Sequence, residues 1–140
     1  MAEISTVDNA TILVVDDERS IADTAAMVLD REGYCALALY NAADAIALLR
    51  KLDVALMVSD VNMPEMDGIN LAFKARELCP QMGILLMSGN ETLETIKQRP
   101  GCEGCPFEIM AKPFGARQLV DRIKSVIHWK HKTSIGTPSH

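Results

Sequence analysis

A chain of 140 residues with 49% hydrophobic and 24% charged side chains has the length and composition of one soluble globular domain, which excludes disorder throughout. Fourteen Lys and Arg against 19 Asp and Glu leave a formal charge of −5, so no positive field is available for non-specific nucleic-acid binding. The longest aliphatic runs fall far short of the roughly 20 residues of a membrane span, and the acidic start precedes no signal-type stretch, so a cytoplasmic protein with reduced thiols is expected.

Short apolar runs alternate with amphipathic stretches, the signature of an α/β fold with a parallel sheet. The first strand is Thr11 to Val15, followed by a helix carrying Ile21, Ala25, Val28 and Leu29 on one face and ended by Gly33. Tyr34 to Leu39 reads as a second strand suited to a sheet edge, after which Asn41 caps a helix carrying Ala42, Ala45, Ile46 and Leu49. Val54 to Val58, apolar throughout, predicts a central strand with helices on both faces. A loop with Pro64 and Gly68 leads to a third helix (Leu71, Ala75, Leu78), closed by Pro80 before a fourth strand at Ile84 to Met87. Asn90 caps a fourth helix with Leu93 and Ile96, broken at Arg99-Pro100-Gly101. Phe107 to Ala111 is the fifth strand, and Leu119, Val120, Ile123, Val126 and Ile127 line the last helix. The domain therefore spans residues 1–129, and residues 130–140, without periodicity, read as a mobile tail.

In an open parallel sheet, function collects beyond the carboxyl ends of the strands. Strand one ends in Asp16-Asp17-Glu18, strand three in Ser59-Asp60-Val61-Asn62, strand four in Ser88-Gly89, and strand five in Lys112-Pro113. Packed carboxylates repel and raise one another's pKa unless a cation or a shared proton offsets them, and Mg²⁺ prefers such oxygen ligands. Carboxylates, a divalent metal, an ammonium and a hydroxyl together suit phosphoryl transfer, with a carboxylate able to act as nucleophile and Lys112 as a charge clamp. Read singly, Asp17 or Glu18 is a helix cap, Asp60 and Ser88 are turn residues, and Lys112 is a solvated loop lysine. Read together, four independent turn accidents would have to place complementary groups at successive strand ends.

These motifs make the chain resemble a response-regulator receiver (CheY-like) domain of two-component signalling. The resemblance covers roughly Thr11 to Trp129 and rests on Asp16-Asp17-Glu18 after the first strand, the loop Asp60-Val61-Asn62-Met63-Pro64-Glu65-Met66-Asp67-Gly68, the Ser88-Gly89 step and Lys112-Pro113-Phe114. It implies a flavodoxin-like, doubly wound five-stranded parallel sheet in order 2-1-3-4-5 with five helices. It further implies that Asp60 is the phosphoacceptor, taking its phosphoryl group from a sensor histidine kinase or phosphotransfer protein. Asp17 and Asp60 are then carboxylate ligands of Mg²⁺, with Mn²⁺ as a substitute, Asn62 a ligand through its backbone carbonyl, and Asp16 mainly through water. Ser88 takes the switch hydroxyl position and Lys112 pairs with the phosphoryl group. Such a domain is no enzyme apart from catalysing its own phosphoryl transfer and autodephosphorylation, and it signals by changing the surface offered to a downstream protein.

Two features depart from that family. Ile109 stands where many receivers carry a Tyr or Phe that reports phosphorylation, while Phe107, two residues earlier on the same strand face, reads as core. Residues 99–106 carry Cys102 and Cys105, whose spacing reads first as an inert loop, with a labile disulfide or half of a metal site as alternatives. His128, His131 and His140 fall with Lys130 and Lys132 at the C-terminal end, a solvated tail, a docking peptide or the start of a linker. Two other readings stand beside the free-standing switch: the N-terminal receiver of a longer regulator, and a haloacid-dehalogenase-like phosphatase. The phosphatase would need an Asp-x-Asp motif after the first strand, where this chain has adjacent Asp16 and Asp17.

Overall fold

The computed structural model describes residues 10–89, 98 and 107–136, the stretch 128–136 as backbone only. Five strands form one parallel sheet: β1 (Thr11–Val15), β2 (Cys35–Leu39), β3 (Leu56–Asp60), β4 (Gly83–Ser88) and β5 (Glu108–Ala111). Their order is β2-β1-β3-β4-β5, as expected, with β3 in the middle and the half-buried β2 on an edge. Four helices are described: α1 (Arg19–Arg31), α2 (Ala42–Leu49), α3 (Gly68–Leu78) and α4 (Ala116–Gly136). The expected helix after Asn90 and the Cys102/Cys105 loop lie outside the described residues. No described helix is long and apolar enough to cross a membrane.

Strand side chains alternate between two faces, and each face has its own core. Leu13, Val15, Met57, Ile84 and Leu86 pack under α2 and α3 with Ala45, Leu71, Ala72 and Ala75. Ile12, Val14, Leu56, Val58, Leu85 and Met87 pack on the opposite face under α1 and α4 with Ala22, Leu29, Leu119 and Ile123. The helix boundaries follow local chemistry. The Asn41 side chain accepts from the Asp44 N–H at 2.8 Å, capping α2, and Asp67 does the same for Asn70 at the start of α3. Gly33, just past α1, has φ 102°, a left-handed conformation that other L-residues adopt only with strain.

Two elements differ from expectation by more than one residue. The third strand runs from Leu56 to Asp60 rather than from Val54 to Val58. Ser59 pairs with Val15 and Asp60 with Met87, so tertiary pairing extends the strand through two polar residues that hydropathy alone reads as a turn. The last helix continues to Gly136, where residues 130–140 were expected to be a tail. Residues 130–135 contain no Pro or Gly to stop a helix.

Candidate phosphoryl-transfer site

The site forms where the parallel strands end. Val15 pairs with Ser59, so the next residues of β1 and β3, Asp16 and Asp60, emerge side by side. Ser88 pairs with Ala111, and the Lys112 N–H donates to the Ser88 carbonyl at 2.8 Å, which fixes where the lysine leaves β5. The Lys112 stem then passes Gly89, close enough that a Cβ there would touch its Cδ at 3.7 Å. The Lys112 ammonium lies 3.1 Å from Asp16 Oδ2 and 3.2 Å from Asp60 Oδ1, bridging the two carboxylates. Asp16 is fully buried, and its other oxygen accepts the Glu18 N–H at 2.9 Å. Its own N–H donates to the Leu39 carbonyl at 3.1 Å, so β2 also helps to hold it. Asp17 is exposed beside this pair, and one oxygen from each of Asp16, Asp17 and Asp60 lies within 4.8 Å of the others.

Electrostatics follow from burial and charge. Burial pushes the Asp60 carboxyl above its ordinary value, and the neighbouring Asp16 adds to this; Lys112 and the Asn62 backbone N–H, which donates to Asp60, pull the other way without reversing it. For Lys112, burial works against the charge, but the hydrogen bond to Asp16 and the negative charges of Asp60 and Asp16 outweigh it, so its pKa lies above that of an ordinary lysine. Three carboxylates against one ammonium leave the site with excess negative charge. Hard oxygen donors in this number suit a divalent cation that keeps part of its water shell.

Of the residues singled out from sequence, Asp16, Asp17, Asp60 and Lys112 come together directly. Asn62 is exposed in the loop after β3 and reaches the site through its backbone. Ser88 is buried at the end of β4, one residue beyond the partner of Asp60. Ile109 is half-buried against the α2/α3-side core, and its carbonyl accepts from Arg122 at 3.2 Å. Phe107 is buried in that core and meets Phe73 edge-on at 5.0 Å between centroids, which agrees with its reading as core.

Gly68 has a role the sequence reading did not assign. It is the first residue of α3, and its N–H donates to the Val61 carbonyl at 2.7 Å. A Cβ built on it would fall 1.9 Å from the Asp60 carbonyl oxygen, so only glycine lets α3 start against the backbone that carries Asp60. The available signal was a poor helix former directly after a capping Asp67, which marks close backbone approach.

Residues 12–124 match the family model of the response regulator receiver domain. The chain belongs to the response regulator receiver family. It is 31% identical over 134 residues to the transcriptional regulatory protein CpxR of Klebsiella pneumoniae, covering 91% of this chain and 56% of that protein. With the transcriptional regulatory protein SrrA of Staphylococcus aureus the identity is 32% over 124 residues, covering 89% and 50%. The receiver thus spans about half the length of these curated relatives. Among solved structures, a CheY-like receiver domain protein from Methanospirillum hungatei superposes with a TM-score of 0.78 at 28% identity, covering 89% of this chain and 98% of that one. A receiver protein from Sinorhizobium medicae gives 0.76 at 27%, covering 87% and 97%. These similarities give the phosphatase reading no support, and the acidic pocket of this receiver is one that could bind a metal ion.

Proposed function

We propose that the domain is a cytoplasmic, phosphorylation-driven switch in which Asp60 accepts a phosphoryl group from the phosphohistidine of a sensor histidine kinase or phosphotransfer protein. The observation that carries this reading is the Lys112 ammonium bridging Asp16 and Asp60 beside the exposed Asp17. An Asp60 carboxylate oxygen attacks phosphorus, the phosphorus–nitrogen bond to imidazole breaks with its electron pair going to the ring, and an acyl phosphate forms. Lys112, already 3.2 Å from Asp60, holds the charge of the arriving phosphoryl oxygens. Asp16, Asp17 and Asp60 would hold Mg²⁺ or Mn²⁺ with the Asn62 carbonyl, Asp16 mainly through water; the metal supplies charge neutralisation for the phosphoryl oxygens. The Ser88 hydroxyl turns toward the phosphoryl group, and this movement changes the surface seen by a downstream partner. Water attack on the acyl phosphate, assisted by the same groups, resets the switch.

The −5 charge supports readout through a protein partner rather than nucleic acid, and a DNA-binding assay with the phosphorylated chain checks that part. The central test is labelling with acetyl phosphate. Asp60 is expected to be labelled only when Mg²⁺ or Mn²⁺ is present, Asp60→Asn to abolish labelling, and Asp17→Asn to weaken metal binding. Lys112→Ala is expected to spare metal binding while impairing phosphorylation. Metal-independent labelling of Asp60, or stable labelling elsewhere, would sink the reading.

A further inference from the structure

On the β2 side of the carboxylates, three side chains are linked through Tyr40. The Arg19 guanidinium lies over the Tyr40 ring, 4.0 Å from its centroid, and the Tyr40 hydroxyl donates to Asp23 Oδ1 at 2.5 Å. The Asp23 charge, through that hydrogen bond, raises the Tyr40 pKa, so the hydroxyl stays protonated and keeps donating at neutral pH. The set borders the acidic site. Arg19 is the first residue of α1, two positions after Asp17, and Tyr40 directly follows Leu39, whose carbonyl holds the Asp16 N–H. The nearest cation to the carboxylates in sequence is therefore drawn to the far side of β1 from Asp60, while among the described residues Lys112 bridges Asp16 and Asp60.

We propose that Tyr40, with Asp23, is a positioning residue that parks Arg19 away from the acidic cluster and so preserves the two excess negative charges that a divalent cation needs. This rests on the metal reading given above. An arginine is charged at every relevant pH and rotates freely about its side-chain bonds when nothing holds it. Released from Tyr40, Arg19 turns toward the carboxylates beside it in the chain and competes with the divalent cation for the same oxygens. Asp23 acts through the Tyr40 hydroxyl, and at i+4 from Arg19 it stands in the less favourable helix order for a direct ion pair. The aromatic face is what completes the hold.

The test is a double-mutant cycle on Mg²⁺ affinity, measured by titration calorimetry on the full chain at low and moderate salt. Arg19→Gln alone is expected to leave the Kd within about twofold. Tyr40→Leu is expected to raise the Kd roughly fivefold at low salt, the size of an added unit charge near the ion in a largely aqueous setting, and less at moderate salt. Tyr40→Leu combined with Arg19→Gln is expected to return to the Kd of Arg19→Gln. Tyr40→Met, which keeps bulk at the strand end but lacks the ring, is expected to behave as Tyr40→Leu and covers the case in which Leu prevents folding. A Kd unchanged in both Tyr40 variants, or a weakened affinity that Arg19→Gln does not restore, overturns the proposal alone. No saturable Mg²⁺ binding by the unsubstituted chain overturns it together with the reading on which it rests.

Discussion

Gly68 and Asp60 show how tightly single residues are constrained at the strand ends. Gly68→Ala places a methyl group 1.9 Å from a backbone oxygen, a clash that no side-chain rotation relieves, so the start of α3 and the carrier of Asp60 must separate. We expect a loss of about 1 to 3 kcal/mol in stability and at least a tenfold slower acetyl phosphate labelling, read by thermal unfolding and by mass spectrometry. Full-rate labelling would show that Asp60 does not depend on this contact. Asp60 itself is held against its own stability. Its folded-state pKa lies above the ordinary carboxylate value, so the folded chain keeps a proton that the unfolded chain has lost, and stability falls as pH rises between the two values. Asp60→Asn removes that loss. In metal-free buffer the variant is expected to unfold at a higher temperature than the parent at neutral pH, with the advantage shrinking as pH drops below the ordinary carboxylate range. A difference that does not vary with pH would contradict the assignment.

Among the elements, β4 and β5 form the two candidate routes out of the site. Ser88 ends β4 inside the core, and its carbonyl is bound to the Lys112 N–H. Ile109 on β5 has neither a hydroxyl to exchange partners nor a ring to swing, and it packs half-buried against the core. A conformational shift needs differential contacts in its two states, so we expect the phosphorylation signal to leave through Ser88 and the loop that follows it, including Gly89 and Asn90. Ser88→Ala should erase the difference in partner affinity with and without beryllofluoride. Ile109→Ala should keep that difference and lower stability by about 1 to 2 kcal/mol, below the full burial value for an Ile. The reverse pattern would place the route on β5.

For the whole molecule, the site is a set of like charges assembled by the fold and opposed by it. Asp16, Asp17 and Asp60 come from two strands that pair only when the sheet is complete, so a cation held by all three binds the folded state alone. Mg²⁺ at about a hundred times its Kd is expected to add about 2.7 kcal/mol, or roughly 5 to 10 °C in Tm. Chelation should reverse the gain and Asp17→Asn should remove most of it, both measurable by scanning calorimetry. A Tm indifferent to Mg²⁺ would mean that the carboxylates do not act together.

Local patterns in the chain determined the parallel α/β class, all five strands, the Asn41 cap and the alternation that yields two cores, because hydropathy period and capping chemistry act within a few residues. The groups at the strand ends were legible as well, since Asp16, Asp17, Ser88 and Lys112 each follow an apolar run. The true end of β3 was not legible: Ser59 and Asp60 have turn-like composition and are strand only because β1 and β4 pair with them. The strand order entered through the family resemblance, since hydropathy does not say which strands are neighbours. The bridging of Asp16 and Asp60 by Lys112, the approach of Gly68 to Asp60 and the stacking of Arg19 on Tyr40 were decided only in the tertiary structure. Each joins residues of different elements, so its distance depends on how the sheet and helices pack rather than on any local preference.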